Sequence, residues 1–139
     1  MSMRRERAAG TILVVEDDPI VGALVELVLA DEGFTVSLLN GAGSESIRAA
    51  VVRLEPDCIL LDGESPRGYG SSWDDAAWIA GRERAVPVFM FTGHDVAIRE
   101  ARDNTSARSQ GAGFAGVLPK PFDLDLLVEE VTRIVRRVG

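Results

Sequence analysis

Ile12-Leu13-Val14-Val15-Glu16-Asp17-Asp18 and Cys58-Ile59-Leu60-Leu61-Asp62 share one pattern: a short apolar run that stops on carboxylates. Such a run, bounded by turn residues, reads as a strand buried on both faces, although periodicity alone also allows a buried helix segment. As neighbouring parallel strands, the two would end side by side at the carboxyl edge of a sheet. Open α/β folds place their chemistry at that edge. Like charges crowded there repel unless something positive joins them, and a divalent metal is the usual answer.

Outward from these two runs, apolar stretches alternate with helical periods five times. The spacing predicts strands at Ile12–Val15, Phe34–Leu39, Cys58–Leu61, Val86–Phe91 and Phe114–Leu118, the last weakened by Gly116. Asp18 and Pro19 suit the start of a helix whose apolar stripe is Val21, Leu24, Val25 and Val28, with Gly33 ending it. Ser44 and Glu45 open a second helix with Ile47, Ala50, Val51 and Leu54 on its inner face, closed by Pro56. Asn40–Gly43 and Gly63–Gly70 read as turn and loop. A third helix is expected from about Ser72 to Arg84, packed by Trp73 and Trp78, with Asp74 and Asp75 near its positive N-terminus. Gly93–Gln110 is polar with weak helical periodicity, interrupted at Asn104-Thr105-Ser106. Asp123 caps a last helix that turns Leu124, Leu127, Val128, Val131 and Val135 to one side. Repeated βα units imply a parallel sheet with helices on both faces.

Composition narrows the function. The 139 residues suit one domain, with Met1–Gly10 a polar, Arg-rich, disordered tail that has no apolar core of a secretory signal. No apolar stretch approaches the length of a membrane span. The net charge of −7 argues against direct nucleic-acid binding, which needs basic surface. The single cysteine, Cys58, can form no internal disulfide, and a reducing cytoplasm fits. Of the 15 basic residues, 14 are arginines, which leaves Lys120 as a solitary lysine at the end of the fifth predicted strand.

Four strand ends therefore carry polar groups: Glu16-Asp17, Asp62, Thr92, and Pro119-Lys120-Pro121. The segments ILVVEDDP, DCILLDGESPRGYG, VPVFMFTGH and LPKPF, in this order, resemble the receiver domain of two-component response regulators over Thr11 to Val138. The resemblance implies a five-stranded, doubly wound, flavodoxin-like sheet of order 2-1-3-4-5 occupying residues 11–139, and a non-enzymatic signalling role. It implies that Asp62 accepts a phosphoryl group from a sensor histidine kinase or a phosphotransfer protein. Glu16, Asp17, Asp62 and the backbone carbonyl of Glu64 would hold Mg2+, a hard ion that keeps several waters. Thr92 and Lys120 would contact the phosphoryl group, and Pro121 would hold Lys120 in a rigid turn. Asp18 falls outside this set as a helix cap. His94 is expected to tune access to the phosphoryl group or simply lie at the surface.

Three departures from the family pattern concern output. Lys120 follows Thr92 by 28 positions, several more than usual, and the extra residues fall in Gly93–Gln110. Val117 stands where an aromatic switch residue is common, and Ser65 precedes Pro66 where a large apolar residue is common. The expectation is that Thr92 moves toward the phosphoryl group and repositions Gly93–Gln110, which amide exchange with and without a phosphoryl mimic would test. The output would be contact with a downstream protein, and a homodimer is possible. Two other readings stay open: an interaction module of the same fold that takes no phosphate, and a phosphatase with an aspartate nucleophile. The chain has no room for the cap domain such phosphatases use.

Overall fold

The computed structural model describes residues 10–40, 43–62, 69–84, 86–92, 114–119 and 123–138. The described residues form five strands and four helices: β1 (Thr11–Val15), α1 (Pro19–Asp31), β2 (Thr35–Leu39), α2 (Ser44–Leu54), β3 (Cys58–Asp62), α3 (Tyr69–Ala80), β4 (Val88–Thr92), β5 (Gly116–Pro119) and α4 (Leu124–Val138). All strand pairs are parallel, in the order β2-β1-β3-β4-β5 that the family resemblance implies.

Side chains alternate between two cores, which is why the central strands carry almost no polar residue. Leu13, Val15, Ile59, Leu61, Val88 and Met90 face α2 and α3, where they meet Ile47, Val51, Ala76 and Ile79. Ile12, Val14, Cys58, Leu60 and Phe89 face α1 and α4, where they meet Val25, Leu29, Leu127 and Val131. Burying one such side chain stabilises the fold by roughly 1.5–3 kcal/mol. Burial also pushes the Cys58 thiol up to about 12, so it behaves as a small hydrophobe.

The helix ends follow local chemistry. The Asp18 Oδ1 accepts the Ile20 and Val21 N–H groups at 2.9 and 3.4 Å, and Pro19 takes the first turn. At the other end of α1 the Gly33 N–H donates to the Ala30 carbonyl at 3.0 Å and the Phe34 N–H to that of Leu29 at 3.2 Å. That is a Schellman cap, with Gly33 at φ +100° and Phe34 and Leu29 buried in one cluster. Asp123 caps α4, its Oδ1 accepting the Asp125 N–H at 2.8 Å.

Several boundaries differ from the sequence expectation. Helix α3 begins at Tyr69 and ends at Ala80, rather than running from about Ser72 to Arg84. Its last buried apolar residue is Ile79, after which Gly81 and an exposed Glu83 offer no packing to extend it. The earlier start moves Asp74 and Asp75 out of the first turn, and Asp75 is fully buried. Strand β4 starts at Val88 because Pro87 has no N–H and contributes only its carbonyl, to the Ile59 N–H at 3.0 Å. Strand β5 starts at Gly116, just after the Ala115 N–H bonds the Val88 carbonyl at 2.8 Å. On α1 the buried residues are Gly22, Val25 and Leu29, whereas Leu24 of the expected stripe is exposed. Gly10 already takes part in the sheet, its carbonyl accepting the Thr35 N–H at 2.9 Å.

Candidate functional site

Strands β1 and β3 are paired with Val15 opposite Leu61, so Glu16 follows one strand end as Asp62 closes the other. Both carboxylates are buried, Glu16 at 1% exposure and Asp62 at 2%. The Glu16 N–H donates to the Leu39 carbonyl at 3.0 Å, which ties the turn after β1 to the end of β2. The Glu16 Oε2 accepts the Asp18 N–H at 2.9 Å, so this side chain also braces the turn into α1. The Asp17 N–H faces Asp62 Oδ2 at 3.5 Å, the outer limit of a hydrogen bond. Asp17 is half-buried. Asp18 is exposed and acts as the α1 cap, as expected from the sequence.

Further along the sheet, Asp62 of β3 pairs with Phe91 of the adjacent β4, and Thr92 pairs with Pro119 at the ends of β4 and β5. The sheet thus gathers the ends of β1, β3, β4 and β5 on one edge. Val117 is half-buried opposite Met90 in β5. Glu64, Ser65, His94, Lys120 and Pro121 and the segment Gly93–Gln110 lie outside the described residues.

The donor set suits a hard divalent ion. Glu16, Asp17 and Asp62 offer only oxygen, and burying two carboxylates side by side is costly without a countercharge. Among the described residues no three acidic, histidine or cysteine side chains form a ready-made metal cage. Mg2+ does not need one: it is held through one or two carboxylates and keeps its waters.

Residues 12–132 match the response regulator receiver domain. The chain belongs to this family. It is 33% identical over 126 residues to the DNA-binding response regulator MtrA of Mycolicibacterium smegmatis, a match covering 91% of this chain and 50% of MtrA. It is 33% identical over 138 residues to the alkaline phosphatase synthesis transcriptional regulatory protein SphR of Synechococcus elongatus, covering 93% and 50%. The receiver domain spans about half the length of these relatives. Among solved structures, the receiver domain of the TMAO respiratory system response regulator TorR superposes with a TM-score of 0.75 at 26% identity, covering 93% of this chain and 98% of that one.

Sequence reasoning missed two polar anchors of the receiver fold. The Asp57 Oδ2 accepts the Thr11 N–H at 2.8 Å and Oδ1 lies 3.5 Å from Arg84, which fixes where β1 begins. The buried Asp75 pairs with Arg48 Nε at 3.5 Å across α2 and α3. The Arg48 and Arg82 guanidinium carbons lie 5.2 and 5.4 Å from the Trp78 ring centre. Neither anchor has a local sequence signal, because both join residues from different elements.

Proposed function

We propose that this receiver domain accepts a phosphoryl group on Asp62 from the phosphohistidine of a sensor histidine kinase or phosphotransfer protein, and signals through contacts with a downstream protein. The meeting of the buried Glu16 and Asp62 carboxylates on adjacent parallel strand ends carries the reading. In the transfer the P–N bond of the donor breaks, a P–O bond to an Asp62 oxygen forms, and the imidazole nitrogen takes up a proton. Glu16, Asp17, Asp62 and the Glu64 carbonyl would hold Mg2+, which when bound neutralises the carboxylates and the phosphoryl oxygens. Asp62 is the nucleophile, and the Asp17 N–H helps to orient it. Thr92 would donate its hydroxyl to a phosphoryl oxygen and Lys120 would pair with the phosphoryl charge.

Relatives twice this length include one whose name says it binds DNA. In a longer protein of that kind, the contact phosphorylation controls would be with the rest of the chain. The −7 charge of these 139 residues disfavours direct contact with a phosphate backbone. The test is acetyl phosphate with and without Mg2+, followed by intact mass. One Mg2+-dependent phosphoryl adduct, lost in Asp62→Asn, is the expected result. No adduct at any Mg2+ level rejects the reading in favour of an interaction module, and turnover of varied phosphate esters rejects it in favour of a phosphatase.

A further inference from the structure

The turn from β1 into α1 is pinned at three consecutive backbone N–H groups, each by a different partner. The Glu16 N–H donates to the Leu39 carbonyl at 3.0 Å, the Asp17 N–H reaches Asp62 Oδ2 at 3.5 Å, and the Asp18 N–H donates to Glu16 Oε2 at 2.9 Å. The first ties the turn to β2 and the second ties it to the end of β3. The third differs, because its acceptor is one of the carboxylates that would hold Mg2+. Glu16 is buried, so the Asp18 N–H helps to set the direction of a carboxylate enclosed by the fold.

That N–H is held in turn by its own side chain. Asp18 Oδ1 accepts the Ile20 and Val21 N–H groups, and the Asp18 carbonyl accepts the Gly22 N–H at 2.9 Å. The Asp18 backbone is extended, at φ −80° and ψ 112°. Pro19 favours an extended residue before it, but it does not fix the Asp18 side chain, which the two Oδ1 bonds do. Helix α1 is locked to the sheet by the fully buried Val25 and Leu29. The cap therefore carries the position of a packed helix to the Asp18 N–H, and through it to Glu16 Oε2.

We propose that Asp18 is a positioning residue for the cation site, acting through the α1 cap and its backbone N–H to hold the Glu16 carboxylate in place, without touching the ion. The inference rests on the Mg2+ reading proposed above. Asp18 is exposed and its Oδ1 is committed to helix N–H groups, which sets it apart from the buried Glu16 and Asp62. Partners that orient a metal ligand matter to affinity almost as much as the ligand itself. On this account the site needs the capping geometry of residue 18 and not its charge, so a neutral capping side chain should serve as well.

The test compares Asp18→Ala, which removes the cap, with Asp18→Asn and Asp18→Ser, which keep a capping oxygen and lose the charge. Gly33→Ala is the control. It strains the φ +100° cap at the other end of α1, about 20 Å away, and so weakens the same helix without touching the turn. Amide exchange is read in metal-free protein, and Mg2+ affinity by calorimetry at about 0.15 M salt, where exposed charges are screened beyond about 8 Å. Exchange at the Asp17 and Asp18 amides should quicken more in Asp18→Ala than in Gly33→Ala. Asp18→Ala should bind Mg2+ about tenfold more weakly, the lower end for an outer partner of a metal site. Asp18→Asn and Asp18→Ser should stay within about twofold of the parent, as equivalent caps. Circular dichroism melting checks that each variant folds. Gly33→Ala matching Asp18→Ala in both readouts overturns the proposal, because general loss of helix then explains the effect. Asn and Ser variants as weak as Ala overturn it in favour of Asp18 acting through its charge. Unchanged affinity in Asp18→Ala overturns it and leaves the Mg2+ reading standing, whereas a parent that binds no Mg2+ overturns both.

Discussion

Gly116→Ala offers a demanding test of the packing. A Cβ at Gly116 would lie 2.6 Å from Phe89 Cε1 and 2.9 Å from Cδ1, where ordinary contacts begin near 3.4 Å. Phe89 is 1% exposed, boxed in by the cluster that joins β4 to α1 and α4. The ring cannot swing out, so ring or strand must shift by nearly an ångström. Overpacking of this kind costs about 1–3 kcal/mol. Alanine returns about 0.4–1 kcal/mol by restricting the unfolded chain. The net expectation is a loss of about 1–2 kcal/mol. With a urea slope of about 2 kcal/mol per molar, the midpoint falls by about 0.5–1 M at unchanged slope. Phe89→Leu made in the Gly116→Ala background should cost less than in the parent, with a coupling of at least about 0.5 kcal/mol. A neutral or stabilising Gly116→Ala, or two effects that simply add, would refute the argument. Because β5 leads through Pro119 directly to Lys120, the same substitution should also slow acetyl phosphate labelling of Asp62.

Three further outcomes follow from the packing of the helices and the central strands. Glu55 caps α2 at φ 44° and ψ 60°, a left-handed geometry costly for a residue with a Cβ, so Glu55→Gly should raise unfolding free energy by about 0.5–1 kcal/mol in urea titration. Arg48→Ala leaves the buried Asp75 without its guanidinium and should cost about 1–3 kcal/mol, and it should change Trp78 emission because the stacked cation is lost as well. The Cys58 thiol keeps its proton to about 12 in the folded chain but loses it near 9.0 when unfolded. Stability from this group is therefore complete below pH 9 and is lost as pH rises toward 12, by up to about 1.4 kcal/mol per pH unit. Urea titrations at pH 8 and pH 10 should show the parent losing about 1 kcal/mol more than Cys58→Val over that interval.

The strands and the candidate carboxylates were legible because the pattern states them directly, whereas the strand order followed from the family resemblance. A strand covered on both faces is written as continuous aliphatic residues, and the first carboxylate after it marks the sheet edge. The Asp18, Gly33 and Asp123 caps were legible for a similar reason, since each acts on its own neighbours. What failed was information held between elements. Helix α1 has almost no polar face, so no stripe marks which residues point inward, and Leu24 was assigned to a core that takes Leu29 instead. Gly116 read as a weakness in β5, whereas it makes room for the Phe89 ring from the neighbouring strand. Asp75 read as a helix N-terminal charge because α3 was begun three residues late.

Burial and partner type together separate the acidic residues. Glu16, Asp62 and Asp75 are the buried carboxylates among the described residues. Asp75 faces an arginine held in place by stacking on Trp78, so its charge is met inside the fold by a side chain that cannot leave without loss of packing. Such a pair is costly to break and has no reason to exchange partners. Glu16 and Asp62 sit instead at strand ends, where backbone N–H groups of Asp18 and Asp17 approach them. On the proposed reading, an exchangeable cation at this edge meets the charge of these carboxylates. On the same reading, equal burial marks a structural pair between α2 and α3 and the proposed phosphoryl acceptor at the end of β3. It also predicts contrasting responses to Mg2+. Titration should raise the melting temperature of the parent chain and of Arg48→Ala alike, while Asp17→Asn should abolish the rise. Equal Mg2+ stabilisation in Asp17→Asn would place the cation elsewhere and remove the basis for assigning the edge to phosphoryl chemistry.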